Sequence, residues 1–589
     1  MAEPTIQLGG GNWAGKTDNL LGYYKEGERF YKQDFTFSRS TTGTYTDKEG
    51  YIQEMPYNLL TYSEDFSNSG WSKGDVTISA KETISPDGQL NAYKITDNTN
   101  NARHRLSDAV TLSSSTAKFT SSVFLKQGTH RYAFLNSSSG SNAYTIVVDL
   151  QNGIKTAETE SGADNDFEIK YFENGWYRLS VTIVAASTTA FVQFGTAGSA
   201  TPTYNNFIPT YAGSSEHIFV FGAQLNKGTS AKTYFPTTTR LNMPRVDYKD
   251  NSNGSLKLEP QSTNLITYSS DFSQWTKTSN ASVTSNNTIS PDGTLNADKI
   301  NFLSATTGVS FVKAFFSNGK TYSVYVKYDN LQYIMVYADG LNGGRHIDIK
   351  NRIIGPNLGA AFNCTIEDVG NDWSKITMFG TSASGISFEI YSSNGTSYNP
   401  ATVGSVYIWG AQVETGSYPT SIINTSGSSV TRNQDACTDG GDASRFNSSE
   451  GVLFAEIAAL ANDGTYRLIS LSDGTETNRI TFFYQNSPSN TIAVESAGSG
   501  TNLGIYGQSL TITNSNKIAI KYKANDCALW VNGVEVATDT SFAAFSSGTF
   551  TKLSFDRGDG IHDFYGKCNQ IQVYNTALTD TELAALTTL

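Results

Sequence analysis

Oxygen-bearing side chains crowd two short stretches of this chain. Asp556, Asp559 and Asp563 fall within one loop, and Asp435, Asp439 and Asp442 fall within a glycine-rich stretch. Clustered carboxylates suit a hard cation, and Ca2+, which takes about six to eight oxygen ligands, is the one cofactor they suggest, the first trio ahead of the second. Their spacing matches no EF-hand loop, and no other residues call for a cofactor. Carboxylates about 5–10 Å apart also hydrolyse glycosides. Glu456, Glu535 and Asp556 are the residues that would form such a pair, although strand-edge solubility charges account for them more simply. Five histidines, His104, His130, His217, His346 and His562, are scattered without metal spacing. No Gly-x-Ser-x-Gly, His-Glu-x-x-His or Walker-type loop occurs, so the expectation is a protein without catalysis. Sugar recognition needs an exposed ring flanked by amide or carboxylate groups. The loop tyrosines Tyr204, Tyr211, Tyr398 and Tyr506 are the platform candidates. Trp71 and Trp275, like Trp176 and Trp373, recur at matching places and read as core.

Composition limits what can hold such residues in place. The 589 residues carry 42 Lys plus Arg against 54 Asp plus Glu, a net charge of −12 with only 16% charged side chains. Globular chains average about 25%, so Ser, Thr and Asn must supply much of the surface polarity. An acidic chain without a basic tract is a poor partner for phosphate backbones, which excludes nucleic acid. No run approaches the roughly 18 apolar residues of a spanning helix, which excludes that form of membrane insertion. The start, Met1-Ala2-Glu3-Pro4-Thr5, has an acid where an export signal has basic residues and an apolar run, and predicts synthesis in a cytosol. Cys364, Cys437, Cys527 and Cys568 lie far apart without CxxC spacing and read as reduced.

A long internal repeat divides the chain. Asn58-Leu59-Leu60-Thr61-Tyr62-Ser63-Glu64-Asp65-Phe66, Trp71 and Ser85-Pro86-Asp87-Gly88 return as Asn264-Leu265-Ile266-Thr267-Tyr268-Ser269-Ser270-Asp271-Phe272, Trp275 and Ser290-Pro291-Asp292-Gly293. Further on, Ser122-Val123-Phe124 answers Ser323-Val324-Tyr325, and Gly222-Ala223-Gln224 answers Gly410-Ala411-Gln412. Within the copies the hydrophobic period is two, as in Tyr322-Ser323-Val324-Tyr325-Val326-Lys327-Tyr328, which predicts half-buried strands. Turn-rich stretches at 46–50 and 249–254, each before a copy, predict hairpins that must pack on a neighbour. The segment from Phe446 onward also reads as strands and ends in a short helix from Asp580 to Leu586, opened by the Thr579-x-x-Glu582 capping box.

The expected fold is therefore all-β: two tandem jelly-roll sandwiches joined by β-hairpins and followed by a further sandwich. The expected boundaries are an arm at 1–30, hairpin linkers at 31–57 and 239–263, jelly rolls at 58–238 and 264–430, a linker at 431–445 and the last sandwich at 446–589.

The repeated Asn-Leu-Leu/Ile-Thr-Tyr-Ser, Trp, Ser-Pro-Asp-Gly and Gly-Ala-Gln motifs, with Tyr418-Pro419-Thr420 and Thr431-Arg432 after the second copy, resemble carbohydrate-binding-module-like jelly rolls of tailed-bacteriophage structural proteins. Trp530-Val531-Asn532-Gly533 and Ile571-Gln572-Val573-Tyr574-Asn575 are similar to concanavalin A-like (laminin G-like) domains. The resemblance implies a tail or head fibre at the virion surface, made in the host cytoplasm and docked on other virion proteins through residues 1–30. It implies a homotrimer that attaches to host-surface glycan. The alternatives it leaves are a capsid decoration without a ligand of its own and a secreted glycan-degrading enzyme with tandem binding modules.

Overall fold

The computed structural model describes all residues except 1, 11–12, 17–18, 25–28, 56–57, 113–114, 117, 233, 235, 238–243, 304–310, 360–361, 380–384, 398–401, 486–489 and 499–503. The chain is all-β; among the described residues the single α-helix is Asp580–Thr587. No helix is long and apolar enough to cross a membrane. Two compact units are present, one of Tyr24–Arg29 with Met55–Leu241, the other of Met1–Tyr23, Phe30–Glu54 and Asn242–Leu589.

The first unit is a sandwich of two six-stranded antiparallel sheets. Its front sheet runs Ile154–Ser161, Asn142–Asp149, Tyr132–Ser139, Thr189–Thr196, Arg105–Thr111, Ser72–Gly74, and its back sheet runs Asp166–Phe172, Trp176–Val184, Lys118–Gln127, His217–Lys227, Leu90–Asp97, Val76–Ile84. The second copy repeats this order. Its front sheet is Ile353–Gly359, Gly343–Asp348, Tyr333–Ala338, Gly385–Ser392, Phe311–Gly319, Thr276–Lys277, and its back sheet is Asn363–Asp368, Trp373–Phe379, Thr321–Tyr328, Gly404–Glu414, Leu295–Phe302, Ala281–Ile289.

The repeated motifs turn out to be scaffold, and each has a physical job. Asn58 donates to the Ala223 carbonyl at 3.1 Å and accepts from the Leu60 and Leu225 amides; Asn264 does the same with Ala411, Ile266 and Val413. A buried amide with its polar atoms satisfied pins the entering strand to the Gly-Ala-Gln strand. Asp87 and Asp292 close the Ser-Pro-Asp-Gly turns by accepting from the amides two residues on, at 2.8 Å in both copies. All four recurring tryptophans are at most 4% exposed, and their indoles donate to the carbonyls of Tyr62, Tyr268, Ile84 and Ile289 at 3.0–3.1 Å. Gly222 and Gly410 take φ of +55° and +62° beside a register shift in the neighbouring strand. A Cβ there would lie 2.9 Å from the ring of Tyr234 or Tyr325, so glycine is required on both counts.

The C-terminal sandwich has a five-stranded and an eight-stranded sheet. Strand Gly566–Tyr574 of the larger sheet pairs with Glu450–Ala459 and also with two segments from far upstream. Ile6–Gly9, from the residues read as an arm, pairs antiparallel with 570–573, burying Ile6 and Leu8. The hairpin Arg245–Asp247 with Ser255–Leu258 adds its second strand through Leu256 opposite Cys568 and Leu258 opposite Gly566. Here a hairpin too small to stand alone finds its apolar cover by extending a sheet. The helix carries the reciprocal capping box between Thr579 and Glu582, and its Leu583 packs on Trp530 and Tyr574.

Asp435, read with the linker's oxygen cluster, is instead 1% exposed. It faces Arg39 at 2.7 Å and also pairs with Arg245, while Glu259 holds Arg245 at 2.6 Å and Arg432 at 2.8 Å. Three guanidinium groups and two carboxylates thus form one buried cluster in the second unit.

Candidate functional site

Exact register equivalence between the two jelly rolls isolates what differs between them. Across the outward side of the first front sheet, Ser72, Ser107, Gln193, Asn136 and Thr145 stand opposite one another on successive strands. The same lane in the second copy is Thr276, Lys313, Glu389, Tyr337 and Gly344. The core-facing positions beside it stay apolar in both: Leu106 and Phe194 in one, Val312 and Ile390 in the other. Strand parity makes this possible, because alternate residues face opposite sides and can change independently.

In the first copy the lane satisfies itself. Gln193 donates to Asn136 at 3.1 Å, Asn136 donates to Thr145 at 2.8 Å, and the Thr145 hydroxyl donates to the Phe207 carbonyl at 2.6 Å. Phe207 lies in the turn of the hairpin formed by Thr203–Asn205 and Ile208–Ala212, which covers the lane, with Ile208 packed on Phe134 and Val147.

The second copy carries charge and rings instead, with Phe315 exposed and Glu389 only 5% exposed. Lys313 Nζ lies 2.6 Å from Glu389 Oε1 and 4.8 Å from the centroid of the Phe315 ring. Glu389 also accepts from Ser387 at 2.9 Å and from the Tyr391 hydroxyl. Tyr391 packs against Phe311 with centroids 5.1 Å apart, and Phe315 is 58% exposed. Burial and the nearby Asp339 and Glu389 charges raise the pKa of Tyr337, so its phenol stays a donor. Gly344 lets that ring lie close over the neighbouring strand, since a Cβ there would stand 3.1 Å from Tyr337 Cδ2. Rings flanked by a fixed carboxylate and an ammonium offer both stacking for sugar C–H faces and hydrogen bonds for hydroxyls.

The residues singled out in the sequence fall elsewhere. Tyr211 is structural: its hydroxyl donates to Asp97 at 2.6 Å, contacts Thr196 at 2.7 Å, and its ring packs edge-on to His104 at 4.7 Å. Tyr204 is half-buried in the covering hairpin, against Phe134 and Val147, and its hydroxyl has no hydrogen-bond partner among the described residues. Tyr398 lies outside the described residues; Tyr506 lies on strand Gly504–Ser509, with its side chain outside them. In the acidic loop, Asp559 is bound by its neighbour Arg557 through contacts of 2.6 and 3.2 Å, and Asp563 accepts from Tyr565 at 2.9 Å. Asp556 is buried and accepts from the Gly558 amide, and burial pushes its carboxyl up to about 6. Among the described residues no three His, Cys, Asp or Glu side chains gather as a metal ion needs. Glu456 is engaged by Asn569, Gln570 and Ser515, while Glu535 is exposed. Lys313, Glu389 and Tyr337 escaped sequence reasoning, although a Lys and a Glu inside the apolar strands Phe-Val-Lys-Ala-Phe and Ile-Ser-Phe-Glu-Ile were a usable signal.

Comparison with known proteins agrees on fold class. Residues 453–584 match the concanavalin A-like lectin/glucanases superfamily, so the C-terminal unit is a domain of that kind. No curated protein matches the sequence. Among solved structures, the chain is similar to the CBM40 domain of the Ruminococcus gnavus IT-sialidase bound to α2,3-sialyllactose, at 20% identity over 24% of this chain and 83% of that one, TM-score 0.21. It is similar to domain 4 of AbnA, an extracellular GH43 arabinanase from Geobacillus stearothermophilus in complex with arabinotriose, at 15% identity over 26% and 73%, TM-score 0.23. The Trypanosoma rangeli sialidase in complex with the inhibitor DANA aligns over 93% of this chain and 98% of its own, at 9% identity and TM-score 0.22. That last finding corrects the expectation of a chain without catalysis, because the structures aligned over most of its length are enzymes. At such identity and TM-score they assign it no reaction.

Proposed function

We propose that this chain is a glycan-binding protein whose second jelly roll captures sugar on the outward lane of Lys313, Glu389 and Tyr337. The observation that carries this reading is the pairwise replacement of Ser107, Gln193, Asn136 and Thr145 by Lys313, Glu389, Tyr337 and Gly344 on an otherwise equivalent sheet. A lane that only needed to be soluble had a working solution in the first copy. Placing an exposed Phe315, a half-buried tyrosine and a largely buried lysine–glutamate pair there instead keeps groups that recognise a ligand. The lectin-type C-terminal domain supports the same class of ligand.

In its finer form the proposal follows the resemblance of the repeats. The chain serves as a fibre at the surface of a tailed phage, docks on other virion proteins, and assembles as a homotrimer so that several shallow sites add their affinities. Its ligand is a host-surface glycan. A glycan array probed with the full chain tests the capture step: binding that fades in both Tyr337→Ala and Glu389→Gln supports it, and retention by both variants sinks it. Reducing-end assays on the bound polysaccharides report whether capture is followed by cleavage. Light scattering and immunogold labelling of particles test the trimer and the virion location.

A further inference from the structure

A second place in the same unit holds a buried ammonium without a direct partner among the described residues. The outer side of the second back sheet, the 245–258 hairpin and the C-terminal sandwich enclose a cleft of about 570 Å³. Its lining contains four lysines and four carboxylates. Lys257 pairs with Asp247 at 3.1 Å, Lys249 with Glu367 at 2.6 Å, and Lys567 with Asp250. Glu259 is taken by Arg245 and Arg432. Lys375 is left over: it is 9% exposed, and among the described residues its ammonium has no hydrogen bond or ion pair, only the Tyr325 ring with its centroid 5.7 Å away.

The first jelly roll shows that this position need not be unpartnered. Arg178 stands opposite Phe124 as Lys375 stands opposite Tyr325. Its guanidinium lies 5.2 Å over the Phe124 ring and donates to Ser122 at 3.0 Å. Ser323 keeps the place of Ser122, yet the lysine makes no such bond. A largely buried ammonium with no hydrogen bond or ion pair of its own is costly, and the cost falls when an anion comes into contact with it. Burial indeed lowers the pKa of Lys375, against the pull of Glu414, Glu367 and Glu259.

The volume is far larger than a bare anion needs and falls in the range of small-molecule sites. Thr365, Thr377, Thr513 and Asn514 also line the cleft, and none of their side chains makes a hydrogen bond among the described residues. A ligand with one carboxylate and several hydroxyls answers both features. We propose that this cleft binds an acidic sugar, with its carboxylate on Lys375 and its hydroxyls on the threonine and asparagine side chains. The site is separate from the outward lane of the front sheet and goes beyond the glycan capture proposed there.

The test is saturation-transfer NMR on the full chain with D-galacturonate and D-glucuronate, set against D-galactose and sodium sulfate. We expect at least one uronate to bind in the millimolar range, galactose and sulfate to bind about tenfold more weakly or worse, and Lys375→Met to lose about tenfold in affinity. Lys375→Arg should retain most of the binding, and thermal unfolding of both variants checks that they are folded. Tyr337→Ala, which damages only the other site, should leave uronate binding intact. No uronate binding by the wild-type chain at about 20 mM, equal binding of galactose or sulfate, or unchanged binding in Lys375→Met would each overturn the proposal.

Discussion

Arg39 Nη1 lies 2.7 Å from Asp435 Oδ1, across 396 residues of sequence, and neither side chain is exposed. The pair joins the segment before the first jelly roll to the one after the second, and Arg245, Arg432 and Glu259 complete the cluster. Buried ion pairs of this kind contribute modest net stability when intact but are expensive to break, because the partner is left charged and desolvated.

Asp435→Asn therefore destabilises the second unit by about 3–5 kcal/mol, read as a lower urea midpoint. Burial alone would raise the Asp435 pKa, but Arg245, Arg39 and Arg432 hold it below the ordinary 3.8. With the folded value depressed, the contribution is complete above the unfolded pKa and is lost as pH falls through the folded one. Wild type and variant should accordingly converge in stability on acidification. Parallel curves down to the acid limb would show that the carboxylate is not what holds the cluster.

The Asp556 carboxyl has the opposite sign. Burial raises it from 3.8 to about 6, so the folded chain holds the proton more tightly than the unfolded one. No penalty exists below about pH 4; it grows as pH rises toward 6 and is complete above it. Asp556→Asn, which keeps the acceptor for the Gly558 amide, should stabilise by about 2–3 kcal/mol at neutral pH and not at pH 4. Thermal melts at the two pH values measure the difference.

On the outward lane, Tyr337→Ala removes a stacking ring and should weaken glycan binding about fivefold to thirtyfold, mainly through faster dissociation. Glu389→Gln keeps the shape, removes the partner of Lys313, and should cost about tenfold. Asn136→Ala, at the equivalent place in the first copy, should leave binding unchanged and cost stability instead, since it breaks a buried relay. Surface plasmon resonance on the array's best ligand separates the three.

All four cysteines are free thiols, and burial pushes Cys364 up to about 11 and Cys527 up to about 12, with Cys437 and Cys568 also raised well above the usual range. A thiol reagent at pH 8 should modify the native chain slowly, at half-buried Cys364 first, and count four thiols after denaturation. Rapid labelling of Cys437 or Cys568 in the native chain would contradict their burial.

The sequence by itself determined the repeat, the strand class, the capped helix and the burial of the recurring tryptophans. Each is local: a period of two, a Thr-x-x-Glu spacing or a motif copied whole carries its own physical cause within a few residues. What it could not determine is which residues meet. Lys313 and Glu389 become neighbours only through strand register, and the polar lane of the first copy is closed by a hairpin that begins far along the chain. Loop tyrosines looked like platforms because loops are usually exposed, yet Tyr211 is drawn inward by Asp97 and Thr196. Asp435 looked like linker oxygen and is instead the centre of a buried arginine cluster. In each case the deciding quantity is the charge and cover that distant segments bring to a side chain, and only the tertiary structure supplies it.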